Sequence, residues 1–169
     1  YTTLFRSPSV QTFSYTPLKT ACLSLMYLGF GTQAYLYHGL ALIVHGFGVI
    51  AAYQIARFFT KRGTAALCTA LLFAAHPLHI GGMSSLAGMV DMLGLVLMLW
   101  AFYHYLNCRE SDEHASFLRV YVLGCAAMFM TEAAVVFPLL LMIHEMAWPN
   151  ARGRRYWKAA IITAAVALL

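Results

Sequence analysis

The sequence predicts an all-α, polytopic transmembrane helical bundle, and three observations carry that expectation. Of the 169 residues, 62% are hydrophobic and the mean hydropathy is +0.71, well above the roughly 45–50% apolar usage of soluble domains. A soluble core of this length has no room for so much apolar side chain. The apolar residues also come in runs close to the ~20 residues that cross a bilayer as helix. Finally, the basic residues alternate. All but Arg6 and Lys19 fall in three groups: Arg57-Lys61-Arg62, Arg109 with Arg119, and Arg152-Arg154-Arg155-Lys158. No Lys or Arg occurs from Gly63 to Cys108 or from Val120 to Ala151. Positive loops stay on the cytoplasmic side during insertion. The basic groups are therefore expected in the cytosol, and the turns around His76 to Asp91 and around Thr131-Glu132 on the extracytoplasmic face.

Each element follows in order. Residues 1–34 read as an extracytoplasmic loop with an interfacial helix. Arg6, Ser7, Pro8 and Ser9 are loop formers, and Pro17 opens a short segment, Leu18 to Phe30, whose start Lys19, Thr20 and Ser24 make too polar to cross. Residues 35–169 read as the transmembrane domain, with about five spans plus a truncated sixth. Tyr35 to Phe59 is a full span. Thr64 to Ala75 is short, and Pro77 ends it by removing a donor and disfavouring helical backbone at His76. Leu86 to Leu106 is the next full span. Phe117 to Met130 and Ala133 to Trp148 are separated only by Thr131-Glu132, so they form a helical hairpin or a broken pair. Trp157 to Leu169 begins a further span. Tyr35, Tyr37, Tyr103, Tyr105, Trp148 and Trp157 fall at expected span ends, where amphipathic rings favour the headgroup layer. The chain opens at Tyr1 without a Met and stops inside an apolar run, so it reads as a segment of a longer protein.

The same pattern narrows the chemistry. The formal charge of +5 is confined to clusters that topology explains, so no nucleic-acid partner is expected. Cys22, Cys68, Cys108 and Cys125 lack CxxC spacing and read as small apolar thiols. There is no Gly-rich phosphate loop, Ser-His-Asp grouping or haem-type Cys-x-x-Cys-His, and no cofactor is expected. Asp91 and Glu132 lie near the starts of spans. An ionised Asp at a helix centre costs ~2.5–3.5 kcal/mol on insertion scales, so such acids occupy interior, wet positions. Alternatively they remain hydrated and complement a helix dipole; both readings stay open. His76 and His79 bracket Pro77. Two imidazoles plus an acid is a zinc-type donor set, but His-x-x-His across a proline is not the i,i+4 pair of a helical metal site. No metal is expected there; hydrogen bonds to loop carbonyls are. His38 and His45 share one helix face, with Gly39 and Gly46 following in register. That stripe predicts close helix approach with buried hydrogen bonds. His104, His114 and His144 fall at cytosolic ends and are given no special role.

Five segments in one order resemble a known family. They are Ser14-Tyr15-Thr16-Pro17-Leu18, then Tyr37-His38 with His45, then Leu72-Phe73-Ala74-Ala75-His76-Pro77-Leu78-His79, then Asp91-Met92-Leu93, and last Thr131-Glu132-Ala133 leading to Phe137-Pro138-Leu139. The ordered set is similar to the polytopic GT-C glycosyltransferases, in particular the membrane O-mannosyltransferases with tetratricopeptide repeats and their bacterial relatives. The resemblance covers nearly the whole chain, as the N-terminal half of a GT-C module. It implies transfer of a sugar from a polyprenyl-phosphate donor on the extracytoplasmic face of a multi-pass protein, in the bacterial inner membrane or the endoplasmic reticulum. The candidate residues on that face are Tyr15, His38, His76, His79, Asp91 and Glu132. In the family an acid of the first extracytoplasmic loop serves as general base and cations hold the lipid phosphate. That acid would lie upstream of Tyr1. Charged positions of the family are occupied here by Thr16, Gly81, Met89 and Thr131, all neutral. Two functions follow: a mannosyltransferase-type enzyme or a relic of one, and a non-catalytic membrane subunit packed within a larger complex. Pore or transporter activity ranks third, because the acids lie at span ends rather than at the midplane.

Overall fold

A computed structural model describes residues 17–111 and 114–148, and it is all helix and turn there, without a strand. Tyr15, the basic group from Arg152 to Lys158 and the expected span from Trp157 lie outside the described residues.

Helix α1 spans Pro17–Phe30, with proline at the position where a missing N–H costs nothing. Gly31, at φ 56°, turns the chain in the left-handed region that a side chain would resist, and Tyr37 donates its hydroxyl proton to the Gly31 carbonyl at 2.8 Å. Helix α2, Ala34–Thr60, has 27 residues and hence a length of ~40 Å, enough to cross. It ends on Lys61 in a left-handed conformation, whose N–H donates to the Arg57 carbonyl. After Arg62, helix α3, Gly63–Ala74, runs back along α2 but has only 12 residues. It therefore stops near the middle of α2. Helix α4, His79–Ser84, then continues beside α2 as the second half of a broken helix. Extended Ser85 reverses the chain into α5, Leu86–Ser111, which packs on α2, α4 and α6. Helix α6, His114–Met130, returns, and a 3-10 turn, Glu132–Val135, leads into α7, Val136–Ala147. The stretch after Phe117 is thus two helices joined by a 3-10 turn.

Two helices, Ala34–Thr60 and Leu86–Glu110, are long and apolar enough to cross a membrane; Leu18–Phe30, Gly63–Ala74 and Leu118–Met130 are apolar but shorter. Lys61 Nζ lies 3.1 Å from Glu110 Oε1, which fixes the ends of α2 and α5 at one pole. Both side chains are largely exposed, so the pair contributes under ~1 kcal/mol and serves here as a marker of direction.

Helices packed in lipid gain little from apolar burial, because lipid tails are as apolar as leucine; close fit holds them instead. Gly48 is one point of fit: a Cβ there would stand 3.1 Å from Val96 and 3.4 Å from Phe73. Gly94 against Thr131 (2.6 Å) and Gly124 against Phe137 (2.8 Å) are tighter still. The expected stripe of Gly39 and Gly46 plays no such part, since a Cβ at either meets nothing within 4 Å. Buried side chains form two clusters. One joins Ala41, Val44, Met89, Val90, Val96 and Met130, with Leu18, Cys22 and Met26 of α1 against it. The other joins Phe102, Tyr105, Leu106, Val120, Phe137 and Leu141 nearer the basic pole. Outside them Leu28, Leu72 and Leu78 remain 82%, 74% and 78% exposed, as suits a surface facing lipid rather than water. All four cysteines are free thiols.

Candidate functional site

The break between α3 and α4 positions the site. Pro77 offers no N–H, so α3 cannot continue, and the chain closes on itself in short bonds: His79 N–H to the His76 carbonyl at 3.2 Å and Ile80 N–H to the Pro77 carbonyl at 3.1 Å. Nδ1 of His76 accepts the Leu78 N–H at 3.2 Å. His79 turns its ring into an aromatic group, with centroids 4.4 Å from Phe73, 5.0 Å from His45 and 6.1 Å from His76. Its two ring nitrogens can donate or accept according to the tautomer.

His79 lines a cavity of about 390 Å³ between α4, α5 and the 3-10 turn. Asp91 faces it from the second turn of α5, and Thr131 and Ala133 from the α6–α7 junction. Glycines create the space and the close walls. A Cβ on Gly88 would stand 2.5 Å from the Gly81 carbonyl oxygen, so α4 and α5 approach backbone to backbone. Gly81 also lines the cavity, and a side chain there would meet nothing within 4 Å. Asp91 Oδ1 lies 2.6 Å from Lys19 Nζ of α1, a contact across 72 positions of sequence. A cation thus stands beside the cavity wall, although Thr16, Met89 and Thr131 are neutral.

The structure gathers His79 and Asp91 on one cavity and sets His76 one ring behind. Glu132 is exposed in the first turn of the 3-10 segment; its neighbours on either side reach the lining. His38 borders a second cavity of about 310 Å³, with Tyr37, Ser84, Ser85 and Met89, and its Nδ1 lies 3.1 Å from the Met83 carbonyl. Among the described residues no group of three or more His, Cys, Asp or Glu is placed to hold a metal ion.

Sequence reasoning missed two features. Lys19 was read only as a polar interruption of α1, and its partner is invisible without the fold. His144 was given no role, yet it is 6% exposed at the basic pole. There Tyr105 donates to Glu145 Oε1 and lies 3.0 Å from His144 Nδ1, and Arg109 Nε stands 3.5 Å from Glu145. Arg109 also donates to the Trp148 carbonyl. A carboxylate in an otherwise apolar segment, as Glu145 is, was the available signal.

Fold and site together define a helical membrane protein with a largely apolar cavity, carrying His79, Asp91 and Thr131 on its wall, at the break of one helix and at the pole opposite the Lys61–Glu110 pair. Comparison with curated proteins gives relatives of one kind. The chain is 30% identical over 131 residues to protein O-mannosyl-transferase TMTC1 of Mus musculus, 77% of this chain and 13% of that protein. It is 29% identical over 100 residues to protein O-mannosyl-transferase TMTC3 of the same organism, 59% of this chain and 11% of that one. It is also 26% identical over 140 residues to protein O-mannosyl-transferase Tmtc2 of Drosophila melanogaster, 79% of this chain and 15% of that one. The chain is thus distantly similar to protein O-mannosyl-transferases and spans a small fraction of their length. No family model matches, and no solved structure matches.

Proposed function

We propose that this chain is part of a GT-C-like glycosyltransferase that takes a sugar, of the mannosyl class, from a polyprenyl-phosphate carrier on the extracytoplasmic side of a multi-pass protein. The observation that carries this is the cavity joining His79, Asp91 and the Thr131–Ala133 turn at the pole away from the basic loops. In such a transfer the acceptor hydroxyl attacks the anomeric carbon, the bond from that carbon to the phosphate oxygen breaks, and the hydroxyl proton passes to a base. Polyprenyl phosphate leaves with the bonding electrons, so a nearby cation lowers the barrier. Lys19, oriented by Asp91, is suited to that task. His79, lining the cavity, is suited to hold an acceptor or sugar hydroxyl. The proposed layout keeps residues 1–34 extracytoplasmic and residues 35–169 as about five spans with a sixth begun. The relatives come from animals, which favours the endoplasmic reticulum over a bacterial inner membrane.

The test is transfer of labelled mannose from a polyprenyl-phosphate donor to a polypeptide acceptor by the full-length protein in membranes. Transfer should occur, and His79→Ala and Asp91→Ala should each lower it at least about tenfold, as removal of a positioned polar group does. A second reading, a non-catalytic subunit, draws on Thr16, Gly81, Met89 and Thr131, where the family is charged. Absence of transfer, with copurification at fixed stoichiometry in a membrane complex, would establish it instead.

A further inference from the structure

Two carbonyls in the broken helix lack partners along their own chain. In an unbroken helix the Ala74 carbonyl would accept the N–H of Leu78. Pro77 has no N–H, and the Leu78 N–H donates instead to His76 Nδ1. The Met83 carbonyl is stranded similarly, because Ser85, at φ −132° and ψ 148°, turns the chain out of α4. His45 lies ~16 Å along α2 from its start, so the Ala74 carbonyl beside it is recessed from the headgroup layer, where water is scarce and an unpaired carbonyl is costly.

One face of α2 supplies both partners. His45 Nε2 lies 3.2 Å from the Ala74 oxygen, and His38 Nδ1 lies 3.1 Å from the Met83 oxygen. A carbonyl only accepts, so each ring nitrogen must carry the proton: Nε2–H in His45 and Nδ1–H in His38. His45 Nδ1 is buried without a hydrogen-bond partner, so one nitrogen of that ring makes the bond. The heptad spacing puts the two donors ~10.5 Å apart along α2, one at the last residue of α3 and the other near the end of α4.

We propose that His38 and His45 are a pair of positioning residues that clamp the two halves of the broken helix to α2 through opposite ring tautomers. His79 lies between the two anchored carbonyls and is thereby held on the cavity. The clamp deepens the functional reading above, but its test does not use transfer, so either idea can fail without the other. Neither histidine is then available as a ligand or base.

The tautomers make the test selective. The asparagine side-chain nitrogen stands near the place of a histidine Nδ1, and that of glutamine near Nε2. In full-length protein in lipid nanodiscs, amide hydrogen exchange over residues 75–85 is followed by mass spectrometry. His45→Gln and His38→Asn should stay within about twofold of the unsubstituted protein. His45→Asn, His45→Ala, His38→Gln and His38→Ala should exchange about fivefold faster, the effect of one lost hydrogen bond. Nitrogen-15 spectra of labelled histidine should give Nδ1–H for His38 and Nε2–H for His45, and this measurement stands even where a variant fails to fold. Equal behaviour of Asn and Gln at each position, or one tautomer at both, overturns the clamp.

Discussion

The two poles of this bundle hold similar side chains and treat them differently. At the basic pole Tyr105, Arg109, His144 and Glu145 are packed against one another, with Glu145 at 4% and His144 at 6% exposure. At the other pole His79 and Asp91 line a cavity of about 390 Å³, and Lys19 pairs with Asp91 from α1. Long helices reach the basic pole, whereas α3 and α6 end early at the opposite one and leave turns at Pro77 and Thr131. Polar groups packed against one another lock helices together. Polar groups around space are available to a ligand. The contrast sets a packed polar network at one pole against an open cavity at the other.

The largest effect expected is at the locking pole. Glu145→Ala leaves the largely buried Arg109 without its carboxylate, and breaking such a buried pair costs about 3–5 kcal/mol. Glu145→Gln keeps an acceptor for Tyr105 and should lose less. Thermal unfolding of the purified protein in detergent reads both, and equal midpoints for the two variants would remove the distinction.

Smaller effects separate the glycines. Gly88→Ala brings a methyl within 2.5 Å of a backbone oxygen, which cannot swing aside as a side chain can. Forcing α4 from α5 should cost about 1–3 kcal/mol. Gly39→Ala and Gly46→Ala meet open space and should stabilise α2 by up to about 1 kcal/mol, through the better helix propensity of alanine. The sign of the change, measured by the same unfolding, tests whether packing lies where the structure puts it.

Much of this architecture is legible in the residues. Tyr35 to Phe59, Leu86 onward and the stop at Pro77 follow from run length and proline chemistry, and α2, α5 and α3 fall there. His38 and His45 do bond to carbonyls, but His38 is exposed and the expected close, buried packing along that stripe is not there. Helix rotation is less legible. In a helix apolar on every side, no polar stripe marks the outward face, so Gly39 and Gly46 looked as fit for close packing as Gly48. Contacts across long separations escape for a related reason. Nothing local to Lys19 or Asp91 names the other; only the placement of α1 against α5 joins them. Glu145 sits in an apolar run at an expected cytosolic end, and only the fold brings Tyr105 and Arg109 to it.

Sidedness decides which pole of the bundle can meet an extracytoplasmic substrate. With the native cysteines replaced, single cysteines at Lys61 and at Glu132 are labelled by a membrane-impermeant maleimide from each side of the membrane in turn. Lys61→Cys should react only from the cytosolic side and Glu132→Cys only from the opposite one. Labelling of both from one side would contradict the polarity of the bundle and, with it, the assignment of the His79–Asp91 cavity to the extracytoplasmic face.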